Sequence, residues 1–275
     1  MNYGSDYKSI PMTSIATGHT TEVKSGVIQH TLQMVNIFLV ENSDSTFVLI
    51  DAGMPKKAEE IVRLVEEHYG KAAKPQAILL THGHFDHVGS IIELVEKWQV
   101  PVYAHTLELP FLTGESSYPD ADPTVEGSSA GRLSFLFPKE PINLMTHVQA
   151  LPQDGSVPYL PDYRWLHTPG HSPGHVSFYN DKEGLLIAGD AITTTDQDSL
   201  YKAMSQKLEL NGPPRYFTPD WQAAKESVQK LNALNPEIVV TGHGMPMAGE
   251  ELGKKLKDLA RNFDTLAKPK HGKYV

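Results

Sequence analysis

Apolar residues recur along the chain with two different periods, and the switches between them mark out strands and helices. Val23 to His30, Gln33 to Val40 and Thr46 to Ile50 are rich in Val, Ile and Phe. Polar breaks such as Glu41-Asn42-Ser43-Asp44-Ser45 separate them, the mark of three successive strands. Past Ile50-Asp51-Ala52-Gly53, Pro55 opens a helix whose inner face is Ile61, Leu64, Val65 and His68, and Gly70 closes it. Ala77 to Leu80 reads as a buried strand. Val88, Ile91, Ile92, Val95 and Trp98 follow at helical spacing, and Pro101 to Ala104 is another short strand.

The period is lost over residues 106–146, where Pro110, Gly114, Pro119, Pro123, Gly127 and Gly131 interrupt every pattern and aromatic residues are scattered between. A connection this long is usually functional. It is expected to roof a pocket with helical pieces, or to serve as a hydrophobic flap at a subunit contact, which leaves room for a homodimer. A second series then begins. His147 to Leu151, Tyr163 to His167, Val176 to Tyr179, Leu185 to Ala188 and Glu237 to Val240 read as strands. Leu200 to Leu210, Pro219 to Leu234 (with Thr218 as N-cap) and Ala248 to Leu266 read as helices. Ile-Leu-Leu-Thr-His at 78–82 and Ile-Val-Val-Thr-Gly-His at 238–243 echo each other, each a buried strand running into a histidine. Together with the strands-then-helices order of each half, this predicts an α/β protein of two related halves, packed sheet to sheet with helices outside.

Composition narrows the picture. A chain of 275 residues, 40% apolar, can bury a sizeable core as one domain, with residues 1–20 as a polar N-terminal arm. A net charge of −9 argues against general affinity for nucleic acid or anionic membrane. The absence of cysteine excludes disulfides and thiolate ligands. With no signal-peptide pattern at the start and no membrane-length apolar run, a cytoplasmic protein acting on a small molecule is expected.

The chemistry gathers at strand ends. Thr81-His82-Gly83-His84-Phe85-Asp86-His87-Val88-Gly89 puts three imidazoles and a carboxylate within six residues, directly after a buried strand. On a strand Asp86 and His87 would point apart, and on a helix the four could meet only in pairs. A loop lets all four converge, as a divalent ion such as zinc requires. Four other strand ends carry ionisable groups beside glycine: Asp51, which could instead cap the helix after it; His171 and His175 in Thr168-Pro169-Gly170-His171-Ser172-Pro173-Gly174-His175; Asp190 after Gly189; and His243 after Gly242. Singly each is weak, since a lone histidine after a strand is more often structural.

Jointly, their order resembles the metallo-β-lactamase fold superfamily, with its HxHxDH, His, Asp and His motifs, from about residue 23 to 244. The resemblance implies an αββα four-layer sandwich of two mixed sheets flanked by helices. It also implies two divalent ions, zinc before iron or manganese. His82, His84 and His171 would hold one ion, Asp86, His87 and His243 the other, with Asp190 bridging, and Asp86 and Asp190 at the reacting centre. In the family the two ions share a hydroxide that attacks the substrate. Asp51 would orient a ligand imidazole or loop, and His175 would hold the 170–175 turn by hydrogen bonding.

Within the superfamily, the missing cysteine excludes β-lactamase branches with a thiolate ligand, and a bridging carboxylate at 190 counts further against true β-lactamases. His84 stands where the di-iron oxygen-reducing branch has Glu. Glyoxalase II shares Thr-Pro-Gly-His and Gly-Asp but adds a C-terminal helical domain, whereas 32 residues follow His243 here. Quorum-quenching lactonases share His-x-His-Phe-Asp-His, with the aromatic at Phe85 bordering substrate. Their tyrosine three residues past the bridging aspartate is Thr193 here, so Tyr201 becomes the candidate proton donor. The expected enzyme is a di-metal hydrolase of an ester, lactone or thioester, its pocket lined by Phe85, Met54 and residues of 106–146 and 191–217. The alternatives are a phosphodiester hydrolase, a mono-iron persulfide dioxygenase and a non-catalytic metal-binding protein.

Overall fold

The computed structural model describes residues 1–275. Its elements in order are β1 (Thr20–Lys24), β2 (Val27–Leu32), β3 (Val35–Glu41), β4 (Phe47–Ile50), α1 (Ala58–Tyr69), β5 (Ile78–Leu79), α2 (Ile91–Trp98), β6 (Val102–Ala104), α3 (Leu109–Leu112) and β7 (Val148–Ala150). They continue with β8 (Tyr163–His167), β9 (Val176–Asn180), β10 (Leu185–Ile187), α4 (Leu200–Ser205), α5 (Trp221–Ala233), β11 (Ile238–Val240), β12 (Met247–Ala248), α6 (Gly249–Arg261) and α7 (Phe263–Leu266).

Each half of the sequence supplies one mixed sheet. The first has seven strands in the order β1 to β7, antiparallel through β4 and parallel after it. The second has the order β12-β11-β10-β9-β8, with only β10 and β11 parallel. The period of two along the strands explains the layers. Phe38, Val40 and Leu79 face inward and meet Phe178, Leu185 and Ile187 of the other sheet. Ile37, Leu39 and Ile78 face outward under α1 and α2. Leu186 and Val239 face outward under α5 and α6. The result is the four-layer αββα sandwich that the two-halves pattern predicts.

Several boundaries differ from expectation. Val23 to His30 is not one strand: the chain turns at Ser25-Gly26, where Gly26 takes φ +76°, and β1 pairs back on β2. Lys57, not Pro55, precedes the first turn of α1. α4 stops at Ser205 because Gln206 adopts a left-handed conformation. Asp220, not Thr218, caps α5 by accepting from the Ala223 amide, while the Thr218 hydroxyl donates to Pro214 O. The last helix breaks at Asn262. Residues 106–146 carry 3₁₀ turns at Thr106–Glu108 and Gly131–Leu136 as well as α3. They form the crossover that the parallel pair β6 and β7 requires. Leu112, Ile142 and Leu144 anchor this crossover in the outer core.

Candidate metal centre

Five segments deliver polar side chains to one end of the sandwich, all at the C-terminal ends of strands. Asp51 follows β4, the 81–89 loop follows β5, the 168–175 turn joins β8 to β9, Asp190 follows β10 and His243 follows β11. Their donor atoms fall into three triads of mutually close groups: His82, His84 and His171; His82, His87 and Asp190; and Asp86, His87 and His243. His84 Nδ1 and His82 Nε2 lie 2.9 and 3.2 Å from His171 Nε2. Asp190 reaches both sides, with Oδ1 3.6 Å from His87 Nε2 and Oδ2 3.5 and 3.2 Å from the Nε2 atoms of His171 and His243. Asp86 Oδ2 is 3.4 Å from His243 Nε2. Gly242 makes the crowding feasible, because a Cβ there would sit 2.0 Å from Asp190 Oδ1.

The outer hydrogen bonds aim the imidazoles. Buried Asp51 accepts from the Thr81 amide and hydroxyl and from His87 Nδ1, each at 2.8 Å. The Thr81 hydroxyl thus has its proton committed, so it accepts from His82 Nδ1 at 3.1 Å. His243 Nδ1 donates to Met34 O at 2.9 Å. In His82, His87 and His243 it is therefore Nε2 that is left facing the cluster. Asp51 orients His87 and does not cap α1. His175 does more than hold its own turn: its Nε2 accepts from the Asp190 amide at 2.9 Å. Its Nδ1 donates to Thr168, whose hydroxyl passes its proton to Ser177, and Ser177 donates to Ala188 O.

The donor set fits divalent cations. Ring nitrogens facing one another at 2.9–3.2 Å repel unless something positive lies between them, and His87 Nε2 and Asp190 Oδ1 are buried without a hydrogen-bond partner. Imidazole with carboxylate suits zinc, iron or manganese. Electrostatics divide the cluster. Burial and the neighbouring imidazoles push His82 and His171 well below the ordinary histidine value, and burial lowers His84 to about 4. Burial works the same way on His243, but the Asp190 and Asp86 carboxylates outweigh it and raise the ring to about 10. His87 is likewise raised, by Asp190, Asp51 and Asp86 against its burial.

The substrate-facing expectations need correction. Tyr201 is 78% exposed on α4 and joins no polar contact of the cluster. Met54 is buried in the outer core with α1 and α2. Phe85 packs against that core and stacks on Phe137 at 5.4 Å, rather than lining the open cleft. A cleft of about 560 Å³ beside the cluster is walled by Phe135, Phe137 and Phe217, with Lys8, Lys139 and Lys273 and the carboxylates Asp6, Asp120 and Glu140 along its sides. Phe217 stacks on His84 at 4.9 Å. Tyr216, beside Phe217, is buried; burial and then the charges of Asp198, Asp86 and Asp190 hold its phenol well above the ordinary value. Thr193 is buried against Asn211 and Gly212. The aromatic wall comes from segments without period, where only the density of Phe and Tyr gave a signal.

Comparisons with known proteins agree with this geometry. Residues 30–243 match the family model described as the metallo-beta-lactamase superfamily. The chain is 45% identical over 259 residues to the probable metallo-hydrolase YflN of Bacillus subtilis, covering 94% of this chain and 98% of that one. It is 25% identical to the hydroxyacylglutathione hydrolase GloC of Haemophilus influenzae, covering 79% and 89%. Among solved structures it is similar to TTHA1623 in a di-iron-bound form, with a TM-score of 0.52 and 31% identity, covering 82% of this chain and 92% of that one.

Proposed function

The chain belongs to the metallo-β-lactamase superfamily, and from that premise we propose that it is a di-metal hydrolase of thioesters, esters or lactones. The observation that carries the reading is Asp190, whose two oxygens face imidazoles from both outer triads. In this reading His82, His84 and His171 would hold one ion and Asp86, His87 and His243 the second, with Asp190 placed between the two sets. Zinc is the expected pair. When bound, such ions polarise the scissile carbonyl and acidify water to a nucleophile at neutral pH.

The chain's own residues do the rest. Asp51, Met34 O and Thr81 keep the Nε2 atoms aimed inward. The apolar wall of Phe135, Phe137 and Phe217 excludes water and suits a carbon-rich acyl group. No lysine or arginine pairs with Asp86 or Asp190. The lysines of the cleft are offset by Asp6, Asp120 and Glu140, which favours a neutral carbonyl over a phosphodiester that gains from direct cationic contact. Among the tyrosines, Tyr216, buried beside Phe217 and within electrostatic reach of Asp86 and Asp190, replaces the exposed Tyr201 as the group to protonate the leaving atom. The likeness to a hydroxyacylglutathione hydrolase supports placing thioesters first.

The test is a panel of acyl thioesters, acyl lactones and phosphodiesters against metal-loaded protein, with ions per chain measured beside it. Thioester or lactone cleavage with about two ions is the expected result. Cleavage of phosphodiesters alone, or a single iron with no hydrolysis, overturns the reading.

A further inference from the structure

We propose that Glu108, reaching in from the crossover between β6 and β7, is a positioning residue that fixes the spacing of the two loops carrying His82, His84 and His171. The proposal rests on the reading that this cluster holds metal. Glu108 has no exposed surface, and no lysine or arginine pairs with it. Four donors surround it instead. One oxygen accepts from the Gly83 amide at 3.0 Å and from the Tyr118 hydroxyl. The other accepts from the Ser172 hydroxyl and the Gly174 amide, both at 2.8 Å.

The placement of those donors gives the carboxylate its role. Gly83 lies between His82 and His84, and Ser172 follows His171. One side chain therefore fastens the loop after β5 to the turn after β8, the two segments whose imidazole nitrogens stand 2.9 and 3.2 Å apart. The Gly83 and Gly174 amides, one at each oxygen, can only donate, and an ionised carboxylate, an acceptor at every lone pair, satisfies them and both hydroxyls together. Both oxygens are engaged, and Glu108 belongs to none of the candidate ligand triads. The turn is shaped to receive it: a Cβ at Gly174 would lie 2.7 Å from Glu108 Cγ. Burying an anion without a counter-cation costs several kcal/mol. A fastening for a cation site is a function that such a cost can serve. A carboxylate supplied by the crossover also makes the geometry of the three imidazoles depend on the segment that forms the cleft wall.

The experiment is a zinc titration of chelator-stripped protein against a competing chromophoric chelator, which needs no substrate. Parent protein should bind two ions. In Glu108→Gln the amide nitrogen must face a donor, and one of the two ions should bind about 10- to 100-fold more weakly, the usual effect of an outer-shell change. The second ion should bind as in the parent, and Glu108→Asp should restore part of the loss. Two ions bound with parental affinities by folded Glu108→Gln overturn the proposal, as does equal weakening of both. If Glu108→Gln fails to fold, Ser172→Ala, which removes one bond of four, decides: a several-fold loss confined to one ion is expected, and none overturns it. A parent that binds no zinc would defeat the metal reading itself, a different outcome from an unaffected Glu108→Gln.

Discussion

The two sides of the cluster are built from the same residue types but held by opposite means. His82, His84 and His171 sit on loops fastened by Glu108 and walled by Phe217, and their rings are pushed toward the neutral form. Asp86, His87 and His243 are tied to the first sheet. Asp51 at the end of β4 fixes His87, and the carbonyl of Met34 before β3 fixes His243. Asn36 reinforces that side, its amide bonding to Thr241 O and Gly244 O at 2.9 and 2.7 Å. There the carboxylates hold His87 and His243 protonated in the metal-free protein. One side is thus kept in the neutral form and held loop to loop; the other is charge-compensated and held by a sheet. Asp190 joins them.

The largest effect should follow from cutting the joint. Asp190→Ala removes both oxygens, Oδ2 at 3.5 Å from His171 and 3.2 Å from His243 and Oδ1 at 3.6 Å from His87. Losing an outer-shell partner typically costs about 10–100-fold, so loss of a group facing both sides should exceed that in turnover. Hydrolysis of the best substrate, measured beside ion content, checks it; parental turnover would remove Asp190 from the site.

Asp51→Asn should act mainly on the His87 and His243 side, which it touches directly, and reach His82 only through Thr81. The amide cannot accept from His87 Nδ1 and the two Thr81 donors as a carboxylate does, so His87 loses its fixed tautomer. Turnover should fall about 10- to 100-fold, with the weaker ion being the one near His243. Glu108→Gln is its mirror image on the three-imidazole side. If both variants weaken the same ion, the division of the cluster into separately held sides is wrong.

How much of this was legible in the sequence follows from how each side is held. The ligand candidates were visible because they sit next to one another, or next to glycine, at the ends of strands with clear period. Asp51 could be noticed for the same reason. Met34 acts through its backbone carbonyl and leaves no side-chain signature. Glu108 sits in a 3₁₀ turn within a segment that lacks period, where one glutamate looks like any other. Phe85 misled because it lies inside the motif, yet it turns toward the outer core while Phe217, more than a hundred residues later, stacks on His84. The packing of two halves sheet to sheet was legible from the echo of 78–82 and 238–243 and the strands-then-helices order of each half, and the resemblance supplied the αββα sandwich. The β1–β2 turn was not legible, because the break Ser25-Gly26 is only two residues long and β1, Thr20-Thr21-Glu22-Val23-Lys24, carries a single apolar residue.

The smallest effect lies in the pH dependence of stability once metal is stripped, where the two sides should pull in opposite directions. His84 is lowered to about 4 in the folded chain against an unfolded value near 6.5. Between those values the unfolded state holds the extra proton, so stability rises with pH and acid below about 6.5 destabilises. His243 is raised to about 10, so from 6.5 to 10 the folded state holds the extra proton. Its contribution is complete below 6.5 and is lost as pH climbs through 10. The stripped protein should therefore melt highest near neutrality and lower at pH 5 and pH 9.5. Replacing one ring at a time separates the limbs: His84→Gln should shrink the acid limb, which His82 and His171 also feed, and leave the alkaline one, and His243→Gln should shrink the alkaline limb, which His87 shares, and leave the acid one. Thermal melts at the three pH values, compared with the parent, read the difference directly. A matching change in both limbs for either variant would mean that the two sides titrate as one unit, and the contrast drawn between them would fail.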